Sequence, residues 1–320
     1  SHHLMISRRF IRIKVMQALY AFNTRSNESE REAEQSLFKT VENCHAGFIW
    51  IFSILPEVAR YRTNKLDSFK EKNNPSYEDL HPNTKFVDNR VIKQMEENKA
   101  LGNYIENYRI KWDNDLDFII KVFKEIEASD IYHVYMASPE NSFKEDKQFV
   151  LDIIQHIFAE SDYIRWFFGE KDPNWIDDYY EALAILYKNV DAFKEKTVSS
   201  YEIFPPFNQP KDDEHLCRHL FRTVLAKNQE YEQLIESKLH NWDMERLIEM
   251  DILLLKMAIC ELTEFPSIPV KVTLNEYIEL AKMYSSDKSK TFINGVLDKM
   301  IEELRDNGLL NKTGRGLYQN

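Results

Sequence analysis

Apolar side chains recur along most of this chain at the three-to-four-residue spacing of helices, and no set of segments shows the two-residue alternation of strands. Over 8–22, Ile11, Val15, Ala18, Leu19 and Phe22 share one face of a helical wheel, with Ser7 placed to cap the helix start. A polar break at 23–29 precedes a second helix over about 30–64, which carries the apolar run 48–55 past Pro56. Asn73-Asn74-Pro75 and His81-Pro82-Asn83 mark 65–86 as loop. Shorter helices follow near 91–101 and 104–112, then a periodic stretch over 115–135 stopped by Ser138-Pro139. Ser142 and Glu145 form a capping box that opens a helix to about 168, and a turn at 169–174 leads into a helix over 175–196. The proline-dense segment 204–210 reads as a linker. Beyond it four helical stretches are predicted, over 212–237, 244–262, 273–284 and 288–305, with Thr273 and Glu276 as a second capping box. The pattern predicts an all-α chain without internal repeats.

Composition narrows the function. Before residue 290 the only glycines are Gly47, Gly102 and Gly169, too far apart to build a phosphate-cradling loop. Most nucleotide-dependent enzymes are disfavoured on that ground. Cys44, Cys217 and Cys260 are an odd, scattered set that suits a reducing cytoplasm better than a disulfide framework. No apolar run is long enough to span a bilayer, and no secretory signal is visible. Residues 1–4, before Met5, read as a tag remnant. The expected organisation is an N-terminal helical subdomain over 5–210, a C-terminal one over 211–306 and a flexible basic tail over 307–320.

The formal net charge is −11, yet its distribution says more than its sum. Arg8, Arg9, Arg12, Lys14 and Arg25 all precede the first acid, Glu28. A basic head on an acidic body suggests one local anionic partner rather than general polyanion binding. Arg8, Arg9 and Arg12 crowd the start of a helix, where cations oppose the helix dipole and an anion would relieve them. The alternative is a basic face paired with acids of the body.

Other candidate chemistry is sparse. Asp251 falls in the middle of an apolar helix face, where a carboxylate must be paired. Either an internal hydrogen bond or a partner protein could satisfy it. His215 and His219 have i, i+4 metal-ligand spacing but lack a companion cluster. Glu42-Asn43-Cys44-His45 has the Glu-x-x-His spacing of di-iron bundles, while the other match, Glu78 to His81, runs into Pro82. No serine or cysteine nucleophile motif is present. No catalytic residue, metal or cofactor is expected.

Two segments carry a resemblance. Arg8-Arg9-Phe10-Ile11-Arg12-Ile13-Lys14-Val15-Met16-Gln17-Ala18-Leu19-Tyr20 resembles the opening helix of the NusB family of transcription antitermination factors. The ordered set running from Asp251 to Leu262, then Ile268-Pro269-Val270, Leu274 to Lys282, and Phe292-Ile293-Asn294-Gly295-Val296-Leu297-Asp298 resembles that family more closely. The region 23–210 does not align with the usual helices, as in the enlarged NusB proteins of the Bacteroidetes type.

The resemblance implies a two-subdomain helical bundle with a long helical insertion in its N-terminal half. It implies a non-enzymatic, cytoplasmic protein that pairs with the ribosomal protein NusE. It would bind boxA RNA of ribosomal transcripts and help the transcribing RNA polymerase complex resist termination. By motif, Arg8, Arg9, Arg12 and Lys14 would contact RNA, with Lys288, Lys290, Phe292 and Asn294 extending that surface. Tyr20 and Asp251 would meet NusE. Gly295 would permit close helix packing. Phe10 and Ile13 depart from the family's polar pattern, and Lys288 replaces a common acid. Two other readings remain open: a helical protein-interaction adaptor without RNA binding, and a relative of the ribosomal RNA methyltransferases that carry a NusB-like domain. The latter needs a glycine-bearing α/β domain that this chain cannot form.

Overall fold

The structure, a computed structural model, describes residues 8–25, 27–203, 210–239 and 247–318. The expected tag remnant at 1–4, the Ser7 cap, the linker apart from Pro210 and the start of the helix expected at 244 lie outside these residues. Every described element is a helix, so the all-helical expectation holds. Two compact units divide the described residues, one over 42–203 and the other over 8–41 with 210–318. The expected division after 210 is therefore not collinear with the structure, because the first helix belongs with the C-terminal ones.

Helix α1 spans Arg8–Thr24 and α2 spans Glu30–Phe52. The single helix expected to continue past Pro56 is broken at Ser53, and α3 starts at Ile54 and runs to Lys70. Pro56 sits in the first turn of α3, where its missing N–H costs no hydrogen bond. Trp112 Nε1 donates to Ser53 Oγ at 3.0 Å, which pins the break. Within the predicted loop, α4 (Tyr77–Leu80) forms a single turn closed by a Ser76–Asp79 capping box.

Polar caps divide the remaining stretches of this unit. Asn89 and Asn98 cap α5 (Arg90–Glu97) and α6 (Lys99–Asn107). The periodic segment at 115–135 becomes α7 (Leu116–Glu127) and α8 (Asp130–Ala137), because Ser129 Oγ accepts from Tyr132 N and starts a new helix. Ser142 caps α9 (Phe143–Asp152), but Glu145 turns to Ser138 and Lys85 instead of closing a box. A π-helical turn, Ile153–Phe158, and a second cap at Ser161 separate α9 from α10 (Asp162–Lys171). Helix α11, Asn174–Ala192, completes the unit. Its core is aromatic: Phe118 stacks on Phe167 with centroids 3.7 Å apart, and Phe86 meets Phe123, Tyr132 and Phe149.

The second unit combines α1 with α12 (Pro210–Ala226), α13 (Asn228–Glu236), α14 (Glu249–Glu264), α15 (Val270–Tyr284) and α16 (Ser289–Asp306). Helix α14 packs against all five of the others, and every residue from Leu253 to Leu262 is buried. That enclosure explains its apolar character on nearly all sides.

One charge lies inside this core. Glu261 is fully buried and receives Arg12 through Nε at 2.9 Å and NH2 at 2.5 Å. Tyr277 donates to it at 2.8 Å and Thr273 at 3.0 Å. Burial pushes the Glu261 carboxyl up, but the Arg12 charge and these hydrogen bonds outweigh it and hold the group below the usual glutamate range. Arg12 is only 2% exposed, so the sequence expectation that it contacts RNA is corrected: its guanidinium is the counter-ion of a core carboxylate. The Thr273–Glu276 capping box is likewise replaced. Pro269 is the N-cap of α15, Thr273 serves Glu261, and Glu276 serves Arg9.

The tail expected to be flexible packs instead, as far as it is described. Lys312 Nζ donates to the carbonyls of Phe265 at 2.9 Å and Glu261 at 3.4 Å, in the last turn of α14 and just past it. Thr313 N donates to Pro266 O at 3.0 Å. Gly316 lies so close to that segment that an added Cβ would stand 1.8 Å from Pro266 O.

Arg12→Ala strands a buried carboxylate and destabilises the protein by about 3–5 kcal/mol in chemical denaturation at neutral pH. Because the folded pKa of Glu261 is depressed, its stabilisation is present above the ordinary glutamate range and is lost as pH falls through and below it. The mutational loss therefore shrinks in acid; a loss that stays constant would contradict the ion pair. Gly316→Ala forces the strap off Pro266 and weakens it locally by about 1–3 kcal/mol. Amide exchange at Thr313 then speeds up while α14 is unchanged.

Candidate nucleic-acid interface

Helix α1 presents its charges in two ways. Phe10, Ile11, Val15, Met16 and Leu19 face the core, as their spacing requires. Lys14 goes with them: it is 3% exposed, with its ammonium 4.9 Å from the Phe10 ring centroid. The expectation of an RNA contact at Lys14 is corrected by that burial, which the aliphatic stem permits. Arg8 and Arg9 remain at the surface. Arg8 Nε meets Asp213 of α12 at 3.1 Å. Arg9 forms a two-bond fork with Glu276 of α15, at 2.7 and 3.0 Å. Each arginine of the sequence cluster thus faces a carboxylate, all of them more than 200 positions away along the chain.

The second half of the surface is the turn between α15 and α16. Asp251, in the first turn of α14, is 4% exposed and accepts hydrogen bonds from the hydroxyls of Ser285 and Ser289, the latter at 2.9 Å. Ser289 also meets Ser286 at 2.8 Å. The partner-facing reading of Asp251 is corrected accordingly: it is an internal tie that closes the turn. What it positions is useful, because Lys288 and Lys290 flank Ser289 and are exposed. Phe292 and Asn294, one turn further into α16, are half-buried. Gly295 is exposed and an added Cβ would meet nothing within 4 Å, so it serves no close helix packing, contrary to expectation.

Glu279 shows how the two halves join. Its carboxyl is held below the usual glutamate range by a hydrogen bond from Lys282 at 2.8 Å, then by the charge of Lys282, with Arg9 and Lys290 adding to it. The start of α1 is tied to α15 through Arg9 and Glu276, Lys282 pairs with Glu279 one turn on, and Lys290 stands in the first turn of the adjoining α16. Sequence reasoning missed Lys282. Its signal was available, since it lies in the last turn of a helix just ahead of Lys288 and Lys290. Tyr20 projects from α1 at 40% exposure. Asn23, one turn on, lines a hollow of about 250 Å³ with Leu19, Val224, Ile252 and Lys256.

The metal-like spacings are occupied by ordinary contacts. His215 and His219 stack with centroids 5.0 Å apart, and His219 Nε2 lies 3.2 Å from Glu264. His45 is buried with Nδ1 2.6 Å from Tyr108 Oη. Among the described residues no group of three or more His, Cys, Asp or Glu is arranged to hold a metal ion, and no helix is long and apolar enough to cross a membrane. All three cysteines are buried and free of disulfides.

Comparison with known proteins bears on α12 to α16, while α1 lies outside the region matched by the family model. The NusB family model matches residues 180–302. A transcription antitermination protein NusB of Salinibacter ruber is 43% identical over 112 residues, which is 35% of this chain and 70% of that protein. The namesake of Chloroherpeton thalassium is 39% identical over 98 residues, 31% of this chain and 46% of that protein. That of Clostridium botulinum is 35% identical over 127 residues, 39% of this chain and 84% of that protein. No solved structure matches. The matched region coincides with α12 to α16 and most of α11, and most of the unit over 42–203 falls outside it. By these matches the chain belongs to the NusB family.

Proposed function

We propose that this protein acts in transcription antitermination, as the names of its relatives state for them, and that it does so by binding RNA through the basic face of the second unit. The observation that supports this reading most is the set of cations on adjoining elements of this unit: Arg8 and Arg9 at the start of α1, Lys282 at the end of α15 and the exposed Lys288 and Lys290 at the start of α16. Phosphates meet the ammonium and guanidinium groups, while Phe292 offers a ring and Asn294 an amide for a base. In keeping with the family resemblance, the RNA is a boxA element of a ribosomal transcript. NusE docks at Tyr20 and the hollow beside it, and the pair acts within the transcribing polymerase complex. No step of this role breaks or forms a covalent bond, so the protein works as an adaptor and not as an enzyme.

A purely protein-binding adaptor is the second reading, favoured by one feature: Arg8 and Arg9 already face carboxylates. Fluorescence anisotropy with boxA RNA and a scrambled control, with and without NusE, separates the two. We expect boxA to bind more tightly than the scrambled RNA in the presence of NusE, and affinity to fall as salt rises. Arg9→Glu with Lys290→Glu should weaken binding about 10- to 100-fold. The slope of log affinity against log salt should flatten by roughly 0.7 for each phosphate no longer neutralised. Equal binding to both RNAs overturns the specific reading. NusE binding without any RNA binding establishes the adaptor.

A further inference from the structure

The C-terminal strap borders an open cavity of about 490 Å³ against α15 and α16. Much of its wall, including Arg305, Lys312 and Tyr318, lies beyond residue 302, where the family match ends. Three cations line it: Lys271 at the start of α15, Arg305 at the end of α16, and Lys312 on the strap. Asp298 is the single carboxylate in the lining. Among the described residues neither Lys271 nor Arg305 has an ion-pair partner. Lys312 holds its ammonium on two main-chain carbonyls, and burial pulls its pKa down to about 8, with the charge of Glu261 opposing. An anion in the cavity would relieve that desolvation.

Neither cap nor acid offsets the α15 start: Pro269 supplies no side-chain cap, and no acid stands in the first turn. The positive end of that helix dipole adds to the three charges. The remainder of the lining is apolar, with Leu274, Ile301 and Leu317, and Tyr318 adds an aromatic ring.

We infer that this cavity binds a nucleoside monophosphate unit. The phosphate faces Lys271, Arg305 and Lys312; the base lies against the apolar wall and Tyr318; and Asp298 accepts from a ribose hydroxyl or a base amine. Three features select this class. The volume exceeds that of a bare phosphate and falls in the range of small-molecule sites. A guanidinium and two ammonium groups in the lining of one cavity suit phosphate oxygens. An apolar wall with one acceptor suits a flat ring system that also donates hydrogen bonds. The unit can come from free nucleotide or from the end of an RNA strand, and the cavity is separate from the cations at the starts of α1 and α16.

The test uses the full chain and equilibrium dialysis with three probes: AMP, a short single-stranded RNA carrying a 5′-phosphate, and inorganic phosphate. Saturable binding of AMP or of the RNA end is expected, and the arm that binds more tightly identifies the source. Lys271→Glu with Arg305→Glu should weaken that binding at least tenfold without changing the melting temperature, since both side chains lie at the surface without ion-pair partners. The Arg9→Glu, Lys290→Glu protein should keep the AMP site, which separates this cavity from the RNA face. Absence of saturable binding of either nucleotide probe, binding unaffected by the Lys271 and Arg305 changes, or inorganic phosphate binding as tightly as AMP overturns the inference.

Discussion

The second unit is organised around a carboxylate that has no access to water. Glu261 sits inside α14, which the other five helices surround, and it remains charged because Arg12 reaches in from α1 and because Tyr277 and Thr273 reach in from α15. Stripping water from a carboxylate and a guanidinium is costly, and only close bidentate geometry with added hydrogen bonds offsets it. That requirement fixes the rotation of α1 about its own axis. With Arg12 inward, Arg8 and Arg9 must lie towards α12 and α15, where Asp213 and Glu276 meet them.

The same logic orders the turn before α16. Asp251 is a second buried carboxylate on α14, satisfied by two serine hydroxyls instead of a cation. Both hydroxyls donate to it, so the turn that leads into Lys288 and Lys290 is tied back to the start of α14. The two ends of α14 thus hold the two halves of the basic face, through one ion pair and one hydrogen-bonded turn. The lysines and arginines at the surface are positioned by acids of the interior.

The parts of the fold that depend on local spacing were legible. The helical class, the core-facing stripe of α1 and the helices over 270–306 follow from periodicity. Helix breaks inside the insertion were not, because Ser53, Ser129 and Ser161 act as breaks only when tertiary packing rewards a change of direction. Partner identity was least legible. Arg12 and Glu261 are 249 positions apart, and the helical wheel that singles out Asp251 carries no sign that Glu261 is the deeper charge. The Thr273–Glu276 spacing imitates a capping box, yet both side chains are committed to arginines or their counter-ion. The glycines of the strap over 312–318 suggest a loose segment, whereas Gly316 is there because the backbone of Pro266 leaves no room for a side chain.

Charge pairing also sets what a ligand would have to displace at each arginine of α1. An exposed ion pair contributes about 0–1 kcal/mol, so a phosphate can take over one arm of Arg8 or Arg9 at little cost to the fold. Removing Arg12 from Glu261 would cost several times as much, about 3–5 kcal/mol, and a single phosphate contact does not repay it. Three neighbouring arginines, indistinguishable in the sequence, therefore divide by burial into one that belongs to the core, Arg12, and two at the surface, Arg8 and Arg9. The carboxylates beside Arg8 and Arg9 then act as a filter. They lower the attraction for any passing polyanion, in keeping with the acidic balance of the chain, so an anionic ligand must outcompete them to reach either arginine.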